Sequence, residues 1–322
     1  MIQLRAKNLF KTAKLAFLGL VLMVGFVTVV PNSAQAASKI YVDPSYQGEE
    51  TGESAKPYTD LQKAIDKADK KNKEVILRPG TYKTKETIRV WPGVTVNGLD
   101  RDKVVIDGTK KKTVIKLYHK SALEHVTVRG GKRGIDVREH AKATIWECKI
   151  IDNKKDGIRI KEADVRDQRK VRVLKTIITD NGWNGIYSEK RKFYLEDNEI
   201  YDNEGDGIEF ASGSHGTIKN TRIKDNEGVG IKLFVDNSKI GIKNCTIRDN
   251  DKSGIEVRSN GGDGWISLNR KTKLYKNDKY GIVRINVGQN YGQNYWDNKL
   301  KIDSGVQFWD NDNGPVSHKI VV

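Results

Sequence analysis

Five side chains recur at nearly even intervals along the middle of the chain. Arg159, Tyr187, Glu209, Lys232 and Glu256 are separated by 28, 22, 23 and 24 residues, and each stands two places after a glycine, in a Gly-Ile-x triplet. If equal positions stack, they form one column of cations, carboxylates and a phenol. Lys161 and Arg258 stand two places further on, and Trp183, His215 and Trp265 fall in nearby turns and loops. This set contains every group that β-elimination on a uronate polymer requires. A cation or metal must neutralise the carboxylate so that the neighbouring C–H becomes acidic. A Lys, Arg, His or Tyr must take the proton, and an acid must help the glycosidic oxygen leave. Lys232, Arg258, Tyr187 and His215 are the catalytic candidates. Arg159, Lys161, Glu209, Glu256, Trp183 and Trp265 are the substrate-binding candidates, with the tryptophans stacking on sugar rings. The plainer alternative is a cross-strand charge ladder of Glu209, Lys232 and Glu256, which is worth little energetically. Inverting hydrolysis needs two carboxylates roughly 6.5–9.5 Å apart. Glu209 and Glu256 approach the upper edge of that range, but Lys232 between them holds both anionic, which is wrong for a general acid.

The elements that position these residues follow from a repeat. Aligned on Gly-Ile, the chain reads IDNKKDGIRI, TDNGWNGIYS, YDNEGDGIEF, KDNEGVGIKL, RDNDKSGIEV and YKNDKYGIVR, preceded by the shorter VRGGKRGIDV. The glycines Gly134, Gly157, Gly185, Gly207, Gly230, Gly254 and Gly281 are 23, 28, 22, 23, 24 and 27 residues apart. A period in the low twenties marks a solenoid. The apolar runs on either side of each Asp-Asn are short and alternate with period two, so they are strands, and no unit has room for a long helix. The result is a parallel β-helix whose coils rise by ~4.8 Å. Read singly, the Asp-Asn-Glu-Gly-Asp-Gly of 202–207 resembles a calcium loop. Its recurrence makes it a turn.

Stacking predicts columns. Ile150, Ile178, Ile200, Ile223, Ile247 and Leu274 point inward, as do Cys148, Thr176, Asn198, Thr221, Cys245 and Thr272. Asn153, Asn181, Asn203, Asn226, Asn250 and Asn277 form an amide ladder that satisfies the polar groups of a buried turn. The repeated glycine is expected to supply an unusual backbone angle. Asp152, Asp180, Asp202, Asp225 and Asp249 stack as like charges and call for cations alongside. Cys148 and Cys245 lie four coils apart, roughly 19 Å, too far for a disulfide, and are expected to be free buried thiols. Upstream, residues 56–72 read as a short helix that covers the open end of the solenoid. Thr59 and Gln62 are its expected capping box, and Leu61, Ala64, Ile65 and Ala68 its apolar face.

The chain has 322 residues and a net charge of +16. Residues 1–36 read as a signal peptide. Arg5, Lys7, Lys11 and Lys14 precede an apolar run over 15–30, and Ala34-Gln35-Ala36 has the form of a cleavage site, so export to the cell surface or beyond is expected. The remainder, 37–322, carries +12 and reads as one β-helix domain with repeats over about 120–290. An exported protein this basic meets polyanions outside the cell. His119, His125, His140, His215 and His318 show no metal spacing, and no phosphate-cradling loop or Ser-His-Asp order stands out.

KIYVDPS, KPYTDLQKAIDKA, VILRPGTY and GVTVNGL, followed by the repeated Ile-x-Asp-Asn-x-x-x-Gly-Ile, resemble the secreted right-handed parallel β-helix proteins of the pectin-lyase-like superfamily over about residues 39–315. The resemblance implies an all-β, single-stranded right-handed parallel β-helix of about ten coils. It implies an exported monomer acting on an acidic, uronate-containing polysaccharide. Lyase-type elimination, or uronan epimerisation, is the implied reaction, with calcium as an assisting ion. It implies no specific nucleic-acid partner and no membrane span once the leader is removed. A non-catalytic polysaccharide- or surface-binding β-helix is the alternative. The Trp-Ile-Asp-His and Arg-x-Pro-x-x-Arg segments of pectate lyases and the Asp-Pro-His-Asp of mannuronan epimerases are absent, so no catalytic residue carries over from them.

Overall fold

The computed structural model describes residues 39–68, 74–163, 169–287 and 293–317. The leader expected over 1–36 lies outside the described residues, as do His318 and much of the loop after Lys161. Three parallel sheets run the length of the solenoid, with eleven, ten and ten strands. The first sheet runs from Lys39–Val42 to Leu300–Ile302, the second from Ile88–Val90 to Gly314–Val316, and the third from Gly80–Lys83 to Gln307–Trp309. One coil shows the path. Ile186–Ser188 lies in the second sheet, Lys192–Glu196 in the first and Glu199–Tyr201 in the third, before the chain re-enters the second at Ile208–Phe210. The expected coil count and strand pattern are both present.

The core is built by columns in register. Ile150, Ile178, Ile200, Ile223, Ile247 and Leu274 pair strand to strand on the third sheet, and all are buried. Burying each such side chain contributes about 1.5–3 kcal/mol relative to exposure. Phe193 and Phe210 meet across two sheets, stacked with centroids 4.4 Å apart. Cys148 and Cys245 are free and buried in their column.

The amide ladder forms as expected and extends by one rung. Asn153, Asn181, Asn203, Asn226 and Asn250 each donate from Nδ2 to the Oδ1 of the next, ending on Asn277, at 2.9–3.0 Å. Asn277 then donates to Asn311 at 2.8 Å. Each Oδ1 also accepts the backbone N–H of the preceding rung, so a buried turn loses no hydrogen bonds.

The repeated glycine has a different cause from the one expected. None of the Gly-Ile glycines adopts a positive φ. A Cβ on Gly207 would stand 2.6 Å from Ile223 Cγ2 and 2.7 Å from Gly230 O, so the residue is glycine because the coil above is too close. The left-handed backbone belongs to the aspartates, with φ of 53° at Asp152, 54° at Asp180, 52° at Asp202, 53° at Asp225 and 51° at Asp249. Asp and Asn tolerate this region better than most residues because their short polar side chains bond locally. Cations do stand beside part of the aspartate stack, with Lys224 on Asp225 and Arg248 on Asp249. Burial, joined by Asp225 and Asp180, raises the Asp202 carboxyl above its ordinary range, with Lys224 opposing.

The helix Leu61–Ala68 packs Leu61, Ala64, Ile65 and Ala68 onto the first coil. Its cap differs from the capping box expected of Thr59 and Gln62. Asp60 is the N-cap, and its Oδ1 accepts the N–H of Lys63 at 2.7 Å. Thr59 bonds to Glu50 instead, and Gln62 turns to Asp66 and to the backbone of Arg89. Near the other end, Gln293–Lys299 forms a second short helix.

Candidate functional site

Strand register brings the five spaced residues into one outer column on the second sheet. Arg159 pairs with Tyr187, Tyr187 with Glu209, Glu209 with Lys232 and Lys232 with Glu256. Period-two alternation turns these side chains outward, while Ile158, Ile186, Ile208, Ile231 and Ile255 fill the core. Beside the column, the turns that carry the asparagine ladder leave a cleft of about 640 Å³ lined by Arg159, Tyr187, Glu209 and Lys232. Trp183 lies on its rim, half exposed, with the Lys155 ammonium 3.8 Å from its ring centroid.

Several charges of the cleft are paired. Lys232 Nζ lies 3.2 Å from Glu209 Oε1 and 3.3 Å from Asp206 Oδ2. Asn184 Nδ2 donates to the other Glu209 oxygen at 2.9 Å, and the Val229 N–H donates to the other Asp206 oxygen at 2.8 Å. Arg159 makes a two-pronged contact with Asp136 at 3.0 and 3.2 Å, and Arg133 Nε donates to Asp156 at 2.8 Å. Desolvation acts to lower the Lys232 ammonium, but Asp206 and Glu209 outweigh it and the net shift is upward. Burial, followed by Glu189, Glu209 and Asp156, raises the Tyr187 phenol against the pull of Arg159. Burial also raises the Asp156 carboxyl, against Arg133. The lining includes four basic residues, Arg133, Arg159, Lys232 and Lys252, and five acidic ones, Asp156, Glu204, Asp206, Glu209 and Glu227. It is a mixed-charge surface.

The remaining predicted residues divide between two faces. Glu256 and Arg258 lie one coil beyond Lys232, where Arg258 Nε donates to Glu256 Oε1 at 2.6 Å and stands over the Phe234 ring. Lys161 pairs with Glu139 at 3.1 Å at the strand's end. His215 and Trp265 do not share this side. They lie on the first sheet, His215 between Lys192 and Lys239 in register, and Trp265 beside Lys239. The turns after Phe210 and Ser259 carry the chain round the corner, so sequence proximity to the column does not become spatial proximity. Asp156, Asn184 and Asp206 were missed. Each stands just before the repeated glycine in successive coils, where later coils have Val229 and Ser253, and that switch from polar to other types was the available signal.

The geometry is that of a parallel solenoid with one column and cleft set apart from its repeats, and the sequence pattern described as the right-handed β-helix region matches residues 133–294. The chain belongs to the right-handed β-helix family. None of the curated proteins matches it. Among solved structures, the family fold is similar to that of pectate lyase Pel9A, with 15% identity, 88% of this chain and 80% of that chain covered, and a TM-score of 0.62. It is also similar to tailspike protein 2 from Escherichia coli O157:H7 bacteriophage CAB120, with 15% identity, 84% and 41% coverage and a TM-score of 0.53. ORF18 of Geobacillus virus E2 follows at 13% identity, 87% and 62% coverage and a TM-score of 0.51. At these identities the likeness is one of fold.

A calcium ion would need several oxygen donors converging in the cleft. Among the described residues, no group of three or more His, Cys, Asp or Glu side chains gathers as a metal site. The Lys232 ammonium stands between Asp206 and Glu209, where a divalent ion would have to sit. The residues present do not fit a calcium ion there, and no step below uses one.

Proposed function

We propose that this protein binds an acidic, uronate-containing polysaccharide in the second-sheet cleft and cleaves it by β-elimination. The observation that carries the reading is the Tyr187–Glu209–Lys232 column, one coil apart each, beneath the exposed Trp183. A sugar ring on Trp183 places its chain along the column. Lys232, kept protonated by its two carboxylates, suits charge neutralisation at the uronate carboxylate better than proton abstraction. The Glu209 carboxylate is the group at hand to take the acidified proton. Tyr187, which holds its own proton, returns one to the departing oxygen as the C–O bond breaks and a C=C bond forms. The pectate lyase similarity supports the choice of polymer. Export with cleavage near Ala36 belongs to the same proposal, and N-terminal sequencing of the mature protein checks it.

Hydrolysis is the second reading, favoured by one observation. Burial raises the Asp156 carboxyl, which suits a general acid, and Asp206 is a second carboxylate lining the same cleft. They stand two coils apart in the turn column, about 9.6 Å at the strand rise, near the upper limit for an inverting pair. Incubation with polygalacturonate, alginate and glycosaminoglycans separates the readings. Elimination yields an ultraviolet-absorbing unsaturated product, and hydrolysis yields reducing ends without absorbance. Neither signal on any polymer overturns catalysis.

A further inference from the structure

On the second sheet the outer column satisfies its own charges, through Asp136 with Arg159 and Glu209 with Lys232. The third sheet pairs several of its outer cations too, as in Arg222 with Glu199, Lys224 with Asp225 and Arg248 with Asp249. The first sheet is different. From Lys170–Leu174 to Leu300–Ile302 its outward positions carry Lys170, Arg172, Lys192, Lys219, Lys239, Lys243 and Lys301, against the single carboxylate of Glu196. Glu196 is taken by Lys219 at 2.5 Å. Among the described residues, no carboxylate lies within ion-pair distance of Lys192, Lys239 or Lys243. Lys192, His215 and Lys239 are direct register partners, so like charges flank the imidazole at strand spacing. Such a stack is destabilising by itself. Aromatic faces interleave with it. The Arg172 guanidinium lies 5.9 Å from the Tyr194 ring centroid, and Lys301 Nζ lies 5.7 Å from that of Trp265. At one edge a hollow of about 550 Å³ is lined by Lys190, His215 and Lys239, with Asp263 as its one carboxylate.

We infer that the outer face of the first sheet is a binding surface for an extended anionic polysaccharide, separate from the cleft. The cations climb the face at the coil rise of ~4.8 Å. A uronan carries one carboxylate per sugar, a spacing close to that rise, and its ring faces suit Tyr194 and Trp265. A chain lying along the solenoid axis therefore meets a cation or, at Trp265, an aromatic ring at each coil, and supplies the counter-charge that the stack lacks. The surface holds the protein on its polymer whether or not the cleft turns it over.

The test is polygalacturonate binding by the full mature chain, read by affinity electrophoresis across a salt series, with turnover measured separately. Lys192→Glu with Lys239→Glu should weaken binding at least ten-fold and flatten its salt dependence. Lys243→Glu with Lys301→Glu should do the same from the other side of the face, which keeps the test informative if the first pair lowers stability. Lys149→Glu with Lys273→Glu, outward on the third sheet, lowers the net charge equally and should bind the polymer like the wild type. Unchanged binding in both surface variants overturns the inference, as does an equal loss of binding in the third-sheet variant. Displacement of the polymer by single-stranded DNA at equal or lower charge concentration also overturns it, by assigning the face to a phosphate backbone.

Discussion

Asp202 holds a φ of 52° while Gly207, five residues on, has no positive φ at all. The two residues most conspicuous in the repeat have exchanged the roles their types suggest. The consequences of substitution are correspondingly exchanged. Gly207→Ala drives a methyl into Ile223 and the Gly230 carbonyl, and overpacking of this kind costs about 1–3 kcal/mol. Asp202→Gly should be close to neutral, since glycine adopts the left-handed region without penalty. Thermal melting of the two variants checks this, and a Gly207→Ala protein as stable as the wild type contradicts the packing account. In the cleft, Lys232 and Tyr187 both have raised pKa values. A reaction that needs both protonated keeps its rate as pH rises to the ordinary ammonium range and fails only above it. A pH profile falling near neutrality on its alkaline side would exclude these roles.

At the level of the element, the asparagine ladder is a chain in which each rung satisfies its neighbours. Asn226→Ala removes the acceptor for Asn203 and the donor to Asn250. Each stranded buried group costs about 1–3 kcal/mol, and urea titration should register the loss. The cysteine column gives a second check. Burial pushes the Cys148 thiol up to about 12 and the Cys245 thiol up to about 11. Folding therefore favours the protonated thiols. Their contribution is present below the unfolded thiol range and declines as pH rises through and above it, because only the unfolded chain then ionises. A native protein should leave both thiols unreactive to a thiol reagent at pH 8, and denaturation should release two. These columns were legible in the sequence because a stack repeats one environment, and a repeated environment selects a repeated residue. The helix cap was not. Asp60 and Thr59 are both good caps by type, and only the contact of Thr59 with Glu50, nine residues upstream, decides between them.

Over the whole molecule the solenoid presents two faces of different character, a mixed-charge cleft on the second sheet and a largely unpaired basic face on the first. The period located Arg159, Tyr187, Glu209 and Lys232 in one column, and register placed them so. It could not say that His215 turns onto another sheet, because a four-residue turn after Phe210 carries no repeat from which to read its direction. Nor did it expose Asp206 as part of the site, since that residue looks like turn sequence until the cleft shows it beside Lys232. A crystal structure with a bound oligogalacturonate tests the division of labour between the two faces. A sugar ring should stack on Trp183 with its carboxylate within about 4 Å of Lys232 Nζ, the limit for an ion pair. An oligosaccharide seated on the first sheet alone, with the Trp183–Lys232 cleft vacant at saturating ligand, would contradict it.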